Sequence, residues 1–228
     1  MVRQWRHRKR CRLLAKKSRH AVLNSYIETC AGLTVDTLVN TPVISVDLEL
    51  TGLDPGKNQI IAIGWTQVDQ GRIRFGSNRH VIITADHSVG HSAAIHEMMD
   101  SEVAAGVDLG KGLEMLFEAA LGRIWLFHHA GLDVAFLQKA CLSWAGVSPP
   151  FAMLDTMQMD LVMRKRRDLP VLHGELQLGK LRSSYHLPQY TAHNALIDAC
   201  ATAELMLAQA AKLDPSGSLR LKPHMRYF

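Results

Sequence analysis

The strongest constraint on this chain is a pair of acidic residues inside an apolar, β-branched run. Residues 43–50 have the composition of a buried strand, and Asp47 and Glu49 interrupt it near its end. Side chains alternate faces along a strand, so these two carboxylates share one face while Leu48 occupies the other. Two carboxylates side by side in a buried position repel each other and resist desolvation. A bound divalent cation relieves both problems, and oxygen-only ligands favour Mg²⁺ or Mn²⁺ over zinc.

Two later segments place further acidic residues at the starts of predicted helices. The apolar residues 125–127 run into a polar turn, and the helix predicted after it has Asp133 in its first turn. The stretch 195–210 consists almost entirely of helix formers and contains no helix breaker. His193 lies at the start of this second helix, and Asp198 follows just over one turn later. That spacing can present both side chains to one site at the beginning of the helix.

In this order, the three segments resemble the exonuclease motifs of the DEDDh, or DnaQ-like, superfamily of 3′–5′ exonucleases, typified by the proofreading epsilon subunit of bacterial DNA polymerase III. The resemblance rests on Asp-x-Glu with Thr-Gly-Leu-Asp, on His-x-Ala-x-x-Asp, and on His-x-Ala-x-x-Asp-Ala, which begin at Asp47, His128 and His193. It extends over residues 41–210 and includes a substrate-loop signature at residues 92–96. Each motif alone is weak, but three in order on the expected elements are highly specific.

The resemblance implies a role for each motif residue. Four carboxylates would hold two divalent cations, Mg²⁺ or Mn²⁺, and His193 would act as the general base. Two cations about 3.5–4 Å apart can serve both the attacking and the leaving oxygen of a phosphodiester. A histidine titrates near neutrality and can therefore accept a proton from the attacking water. The implied metal ligands, which are also catalytic residues, are Asp47, Glu49, Asp133 and Asp198. The implied substrate-binding residues are Leu50, Thr51, Gly52, His96 and His129.

The chain departs from the family pattern at a few positions beside these motifs. Leu50 stands where a small Thr is common, and His129 replaces the usual Asn. Leu132 replaces a frequent Phe, and Glu97 stands where Gly is typical. None of these changes removes a metal ligand, so they affect the expected substrate preference and not the reaction class.

Two polar residues near the motifs have structural interpretations. His128 is interpreted as a packing residue at the end of a strand, with metal ligation as the alternative. Asp155 precedes Thr156 and a predicted helix, so we interpret it as a helix N-cap in preference to a fifth metal ligand.

The order of predicted elements is three strands followed by alternating helices and strands. This order is typical of an α/β fold in which helices cover both faces of a mixed sheet. By resemblance, we expect the ribonuclease H-like three-layer fold with a five-stranded sheet. Residues 1–40 are predicted to form a basic, helical N-terminal extension, residues 41–213 the exonuclease domain, and residues 214–228 a loose C-terminal tail. A length of 228 residues and a hydrophobic content of 47% suit such a folded domain.

Composition also narrows the environment in which the chain works. No apolar stretch approaches the roughly 20 residues of a membrane span, so we expect no membrane partner. The four cysteines are far apart and form no Cys-x-x-Cys pair. This distribution argues against a zinc site or a disulfide scaffold and favours a reducing, cytoplasmic location.

Positive charge is concentrated at the N-terminus. Residues 1–20 hold nine of the 26 Lys and Arg residues and no acid, whereas the remaining 17 are outnumbered by 21 acidic residues. The basic segment could steer nucleic acid by attracting phosphates. Alternatively, it could dock a protein partner, remain a solvated helix, or serve as a mitochondrial presequence. Docking is favoured here because the segment also contains an apolar stripe formed by Leu13, Leu14, Val22, Leu23, Tyr26 and Ile27.

Together these features predict a metal-dependent 3′–5′ exonuclease. Its expected substrate is the 3′ end of single-stranded DNA, from which it would release nucleoside 5′-monophosphates in proofreading or repair. One alternative is the same chemistry on RNA ends, and another is a catalytically silent module that binds nucleic acid or a polymerase. A DNA polymerase, or another protein bound through the N-terminal extension, is a further candidate partner.

Overall fold

A twisted mixed sheet forms the centre of the protein. The computed structural model describes residues 2–84, 106–191 and 193–228. The strands are β1 (Val43–Leu50), β2 (Ile60–Asp69), β3 (Arg72–Ile82), β4 (Ile124–Phe127), β5 (Ala152–Asp155) and β6 (Arg226–Tyr227). They lie in the order β3-β2-β1-β4-β5-β6. The pairs β1–β4 and β4–β5 are parallel, and the pairs β1–β2, β2–β3 and β5–β6 are antiparallel.

Helices cover both faces of this sheet. They are α1 (Val2–Leu14), α2 (Ala21–Gly32), α3 (Leu109–Ala119), α4 (Ala130–Ala145), α5 (Thr156–Arg166), α6 (Leu178–Ser184) and α7 (Ala195–Leu213). One core joins the sheet to α2, α3 and α4 and includes Ile27, Phe117 and Leu137. A second core, on the opposite face, includes Met159 of α5 and Met206 of α7. The predicted α/β architecture, with a mixed sheet between two helical layers, is therefore confirmed.

The C-terminal segment adds a sixth strand that the sequence did not indicate. Strand β6 pairs with β5, and the side chains of Leu219, Leu221 and Met225 are buried in the second core. The backbone N–H of Leu38 donates to the carbonyl of Leu219 over 2.9 Å. The prediction of a loose tail is wrong because a two-residue strand and three spaced apolar residues give no periodic signal, yet they close one edge of the core.

The N-terminal extension also forms part of the core. Leu23, Tyr26 and Ile27 of α2 have no exposed surface and pack against the sheet. The Tyr26 hydroxyl donates to the Pro150 carbonyl over 2.9 Å and accepts a 2.9 Å hydrogen bond from the indole N–H of Trp125. Most of the apolar stripe that suggested partner docking is therefore occupied by the chain's own fold, which removes that argument for docking.

The described helices give no sign of a membrane segment. Within residues 2–84, 106–191 and 193–228, none is both long enough and apolar enough to span a bilayer.

The hydroxyl of Tyr26 should contribute measurably to stability. Tyr26→Phe leaves a buried indole N–H and a carbonyl without their partner, a change that typically costs about 1–3 kcal/mol. We expect this loss in the free energy of unfolding measured by urea titration. The control is Tyr190→Phe, because the Tyr190 side chain is exposed and its hydroxyl contacts Glu204 at the surface. Equal stability of the two variants would contradict a structural role for α2.

Candidate active site

Three of the predicted metal ligands come together at the centre of the sheet. The carboxylates of Asp47, Glu49 and Asp198 offer oxygen atoms that all lie within 4.8 Å of one another, and each side chain is partly buried. Asp47 and Glu49 project from the same face of β1, whereas Leu48 is buried in the opposite core. Burial, followed by repulsion from Asp133, Asp198 and Glu49, raises the pKa of Asp47 well above its ordinary value.

The start of α7 positions Asp198. The Asn194 side chain caps this helix by accepting hydrogen bonds of 3.1 Å from the backbone N–H groups of Leu196 and Ile197. Asp198 lies in the first turn, and its carboxylate accepts a 3.0 Å hydrogen bond from the backbone N–H of His193. Burial raises the pKa of Asp198 and outweighs the opposing effect of that hydrogen bond. The backbone of His193 and the carboxylate of Asp198 therefore lie close together, as their spacing in the sequence predicted.

A glycine on the neighbouring strand allows α7 to reach the site. Gly64 of β2 pairs with Asp47, and a β-carbon at Gly64 would lie 2.0 Å from the backbone carbonyl carbon of Ala195. Gly64 was not among the residues predicted from the sequence. A glycine inside the strand run 60–68 was the available signal, since it often marks a close backbone approach. One turn further along α7, the Ser45 hydroxyl donates to the Ala199 carbonyl over 2.7 Å.

Asp133 borders the three-carboxylate group from the first turn of α4. It is 8% exposed, and burial raises its pKa to about 8, with Asp155 and Glu49 contributing repulsion. Backbone N–H groups of Asp133 and Leu48 oppose this rise. Asp133 is not a member of the group whose oxygens all lie within 4.8 Å, but its charge acts on Asp47. The structure thus joins three predicted ligands closely and places the fourth beside them.

Asp155 holds the helix that carries Asp133. Its carboxylate accepts four backbone hydrogen bonds of 3.0–3.2 Å, and it is 4% exposed. Two of these bonds come from His129 and Ala130 at the start of α4, and two from Met157 and Gln158 at the start of α5. The N-cap interpretation is therefore confirmed and extended, because one carboxylate joins the N-termini of two helices.

The predicted general base lies on the rim of a cavity. His193 is exposed, with φ of 68°, a left-handed conformation that is uncommon for a non-glycine residue. It lines a cavity of about 510 Å³ together with Asp198, Lys180, Arg182 and Tyr190. The Arg182 guanidinium is buried, pairs with Glu204 at 2.7 Å and stacks on the Tyr190 ring. His193 and Asp198 thus line the same cavity, which connects the predicted base with one carboxylate of the acidic cluster.

His128 fills a structural role. Its Nδ1 lies 2.8 Å from the Thr156 hydroxyl, and its Nε2 lies 2.9 Å from the Leu176 carbonyl. A neutral ring that donates from Nε2 to the carbonyl and accepts at Nδ1 satisfies both contacts. Burial lowers the pKa of His128, which favours this neutral form. These contacts agree with the packing interpretation.

The predicted substrate-binding residues occupy three different settings. Leu50 is partly buried against the first core. Thr51 closes the β1–β2 turn, where its backbone N–H donates to the carbonyl of Gln59 and its hydroxyl accepts from the N–H of Gln59, each over 3.0 Å. A β-carbon at Gly52 would lie 2.7 Å from the Asn58 side chain, so this turn is tightly packed. His129 is exposed and lines a separate cavity of about 460 Å³. The signature at 92–96, with His96, lies outside the described residues, and substrate contact by all five residues stays a prediction.

The donor set fits a hard divalent cation. Asp47, Glu49 and Asp198 offer only oxygen atoms, the ligand type that suits Mg²⁺ and Mn²⁺. A cation at this position would also offset the repulsion that raises the pKa of Asp47. These residues could therefore hold a metal ion without any rearrangement of the strand that carries two of them.

Raising the pH in the absence of divalent cation should destabilise the protein. An unfolded chain releases the Asp133 proton near pH 3.9, whereas the folded chain retains it up to about pH 8. Since the native state binds more protons in this window, stability falls as pH rises, by at most about 1.4 kcal/mol per pH unit for each such carboxyl. In chelator, we expect a lower Tm at about pH 8 than at about pH 5.

Addition of Mg²⁺ should raise the Tm more at the higher pH, where the protons have already left the site. Asp133→Asn should flatten the pH dependence measured in chelator. Asp168→Asn, which alters an exposed acid, should not. A Tm in chelator that rises between the two pH values would exclude this electrostatic account.

Comparison with known proteins agrees with this arrangement. Residues 44–206 match the family described as RNase T, exonuclease. A 3′-5′ exonuclease DinG from Staphylococcus haemolyticus is 24% identical over 176 residues, which are 77% of this chain and 19% of that protein. The chain thus spans about a fifth of the length of the curated relative that it matches.

Two solved structures share the fold. The nuclease domain of 3′hExo, a DEDDh family member bound to rAMP, aligns with a TM-score of 0.63 and 16% identity, covering 79% of this chain and 96% of that one. Exonuclease X in complex with 5′ overhanging duplex DNA aligns with a TM-score of 0.54 and 20% identity, covering 76% and 93%. The fold of these neighbours and the family match over residues 44–206 lead to one conclusion: the chain belongs to the RNase T exonuclease family, within the DnaQ-like 3′–5′ exonuclease superfamily.

Proposed function

We propose that this chain is a metal-dependent 3′–5′ exonuclease that removes nucleotides from the 3′ ends of single-stranded DNA and releases nucleoside 5′-monophosphates. The observation that carries the proposal is the convergence of Asp47, Glu49 and Asp198 within 4.8 Å, with His193 bonded through its backbone to Asp198. Family membership implies the use of divalent metal. We propose two ions, Mg²⁺ or Mn²⁺, held by these three carboxylates and by Asp133.

In this proposal, each carboxylate has a definite task. Asp47 and Glu49 hold the centre of the site because they project from a strand that lies between β2 and β4. Asp198 and Asp133 approach from the first turns of two helices, so small shifts of those helices would alter the fit. Bound cations supply neutralisation of the phosphate charge and polarisation of the attacking water. Asp133 and Asp47 must lose their protons when cations bind, because burial raises their pKa.

His193 is the proposed general base. Its backbone N–H is fixed by Asp198, while the residue itself is exposed and lines the cavity. From there the imidazole can take a proton from the attacking water and pass it to solvent.

The cavity beside His193 is the proposed position of the 3′-terminal part of the strand. It offers an exposed cation at Lys180 and an exposed ring at Tyr190, which is 44% accessible. A cation and an aromatic face are the groups with which proteins bind the phosphate and the base of single strands. The Leu50-Thr51-Gly52 turn would line the opposite side of the terminal nucleotide.

RNA is the second candidate substrate. One of the structural neighbours holds DNA and another holds rAMP, so the shared fold accommodates both chemistries in those proteins. Discrimination would depend on contacts with the 2′-hydroxyl. A role in proofreading or repair, as a polymerase subunit or alone, belongs to the DNA form of this proposal. The silent-module alternative lacks support because all four acidic positions and the histidine are filled.

Nuclease activity should depend on divalent cation. We expect labelled single-stranded DNA to be shortened from its 3′ end in Mg²⁺ or Mn²⁺, and to remain intact in excess chelator. Glu49→Gln should abolish turnover because it removes a ligand charge, whereas Glu118→Gln, at an exposed site on α3, should not. The same assay with RNA of equal sequence decides between the two substrates. Full activity in chelator, or rapid cutting of circular DNA, would refute the proposal.

Loss of the imidazole at position 193 should slow the chemical step. A positioned general base contributes typically about 10²–10⁴-fold in rate, so His193→Ala should reduce kcat by that factor. Metal binding, measured as the Mg²⁺-induced increase in Tm, should persist in this variant. His186→Ala is the matched control, since His186 is also exposed and also has a positive φ, of 57°. A wild-type kcat in His193→Ala would place the base elsewhere, with His129 as the next candidate.

A further inference from the structure

The first helix carries a positive charge that the described fold does not neutralise. The first 27 residues contain no acidic side chain. In residues 2–84, 106–191 and 193–228, no ion pair joins α1 to an acidic residue. The exposed basic side chains of this helix are Arg3, Arg6, Lys9, Arg10 and Arg12. Such a concentration attracts polyanions over the distance that salt screening allows.

This charged surface is held in a fixed orientation. His7 and Cys11, one turn apart on the inner side of α1, are 6% and 0% exposed. The His7 ring packs against Tyr227 of β6, with ring centroids 5.0 Å apart. Arg8 donates to the Leu33 carbonyl over 3.0 Å. The helix is therefore part of the folded body, and its outer face is a built surface.

The outer face presents its charges in two rows. Arg3, Arg6 and Arg10 have the i, i+3, i+7 spacing that places them along one side of a helix. Trp5, Lys9 and Arg12 form a second row with the i, i+4, i+7 spacing. Trp5 is 62% exposed, and the Lys9 ammonium lies 5.3 Å from its ring centre. Basic side chains beside an exposed aromatic ring are typical of surfaces that bind single-stranded nucleic acid.

The surface lies away from the acidic cluster. Five residues after the end of α1, the backbone N–H of Arg19 donates to the Ala145 carbonyl in the last turn of α4. Asp133 lies in the first turn of that helix, 12 residues earlier, which corresponds to about 18 Å along the helix axis. A strand that ran along α4 from Asp133 to Ala145 would need about five nucleotides, at roughly 3.4 Å per nucleotide.

We propose that the outer face of α1 is a second nucleic-acid-binding surface, which holds the phosphodiester backbone of a long substrate strand while its 3′ end occupies the active site. The substrate assignment rests on the proposed function, but binding to the surface requires no catalysis. A single strand is the favoured occupant because the charge is dense and only Val2, Trp5 and Leu13 are large apolar residues exposed along the helix. An anionic membrane would require a broad apolar face on the same helix.

The test measures binding of the full-length protein to a fluorescent single-stranded oligonucleotide of about 20 nucleotides, as a function of salt. Chelator prevents hydrolysis and leaves the active-site carboxylates repulsive, so the remaining affinity reports other surfaces. The variant is Arg3→Gln with Arg6→Gln, which leaves the buried side of α1 unchanged. The control is Arg72→Gln with Arg74→Gln, an equal loss of exposed charge on β3 at the opposite edge of the sheet.

We expect the affinity of the α1 variant for the oligonucleotide to fall roughly tenfold. The slope of log K against log salt should become shallower by about 1.4, because two phosphate contacts are lost. The control should keep the wild-type affinity and the wild-type slope. With Mg²⁺ present, the α1 variant should degrade substrates of about three nucleotides with unchanged kcat and KM, and should show a raised KM only on long strands. An unchanged slope would overturn the proposal. The proposal would also be overturned if the α1 variant lost binding to anionic phospholipid vesicles but kept the wild-type affinity for DNA. If the wild-type protein binds DNA through α1 but degrades no strand, only the proposed function fails.

Discussion

Repulsion among carboxylates gathered in a poorly hydrated space is the constraint on which the site depends. Asp47, Asp133 and Asp198 all have raised pKa values, chiefly because burial removes water from them. The fold places two of these groups at the N-termini of helices, where the helix dipole favours negative charge. The helix dipoles thus offset part of the repulsion at this site, and a bound cation would offset more of it.

The surrounding elements serve to hold this unfavourable cluster in place. Asp155 is buried and acidic as well, but four backbone N–H groups satisfy it, so it acts as a connector between α4 and α5. Beneath the other face of the sheet, Tyr26 and Trp125 form a hydrogen-bonded aromatic contact that ties the N-terminal helices to the central strands. A charged site of this kind therefore depends on a rigid apolar layer behind it.

Local sequence patterns predicted the elements that form the site, but they did not predict the packing between distant parts of the chain. Alternation along β1 placed Asp47 and Glu49 on one face, and helix-start signals placed Asp133 and Asp198 in first turns. The apolar side of α2 was assigned to a partner instead, because a sequence shows that a stripe will be buried but not which surface will bury it. The packing of the tail after Leu213 was not predicted for a related reason: its few apolar residues form no pattern in the sequence and are buried only because the tail packs beside β5.

The contact between Gly64 and α7 bears on how members of such a family can be distinguished. Gly64 has a hydrogen atom where other residues have a β-carbon, and this allows α7, with Asp198, to approach the strands that carry Gly64 and Asp47. A copy of this chain that acquired a larger residue at this position would keep every acidic residue and histidine of the three motifs while losing their common geometry. Motif inspection alone would count that copy as an intact enzyme. An inventory of functional genes based on such motifs should therefore include the small residue that makes room for them.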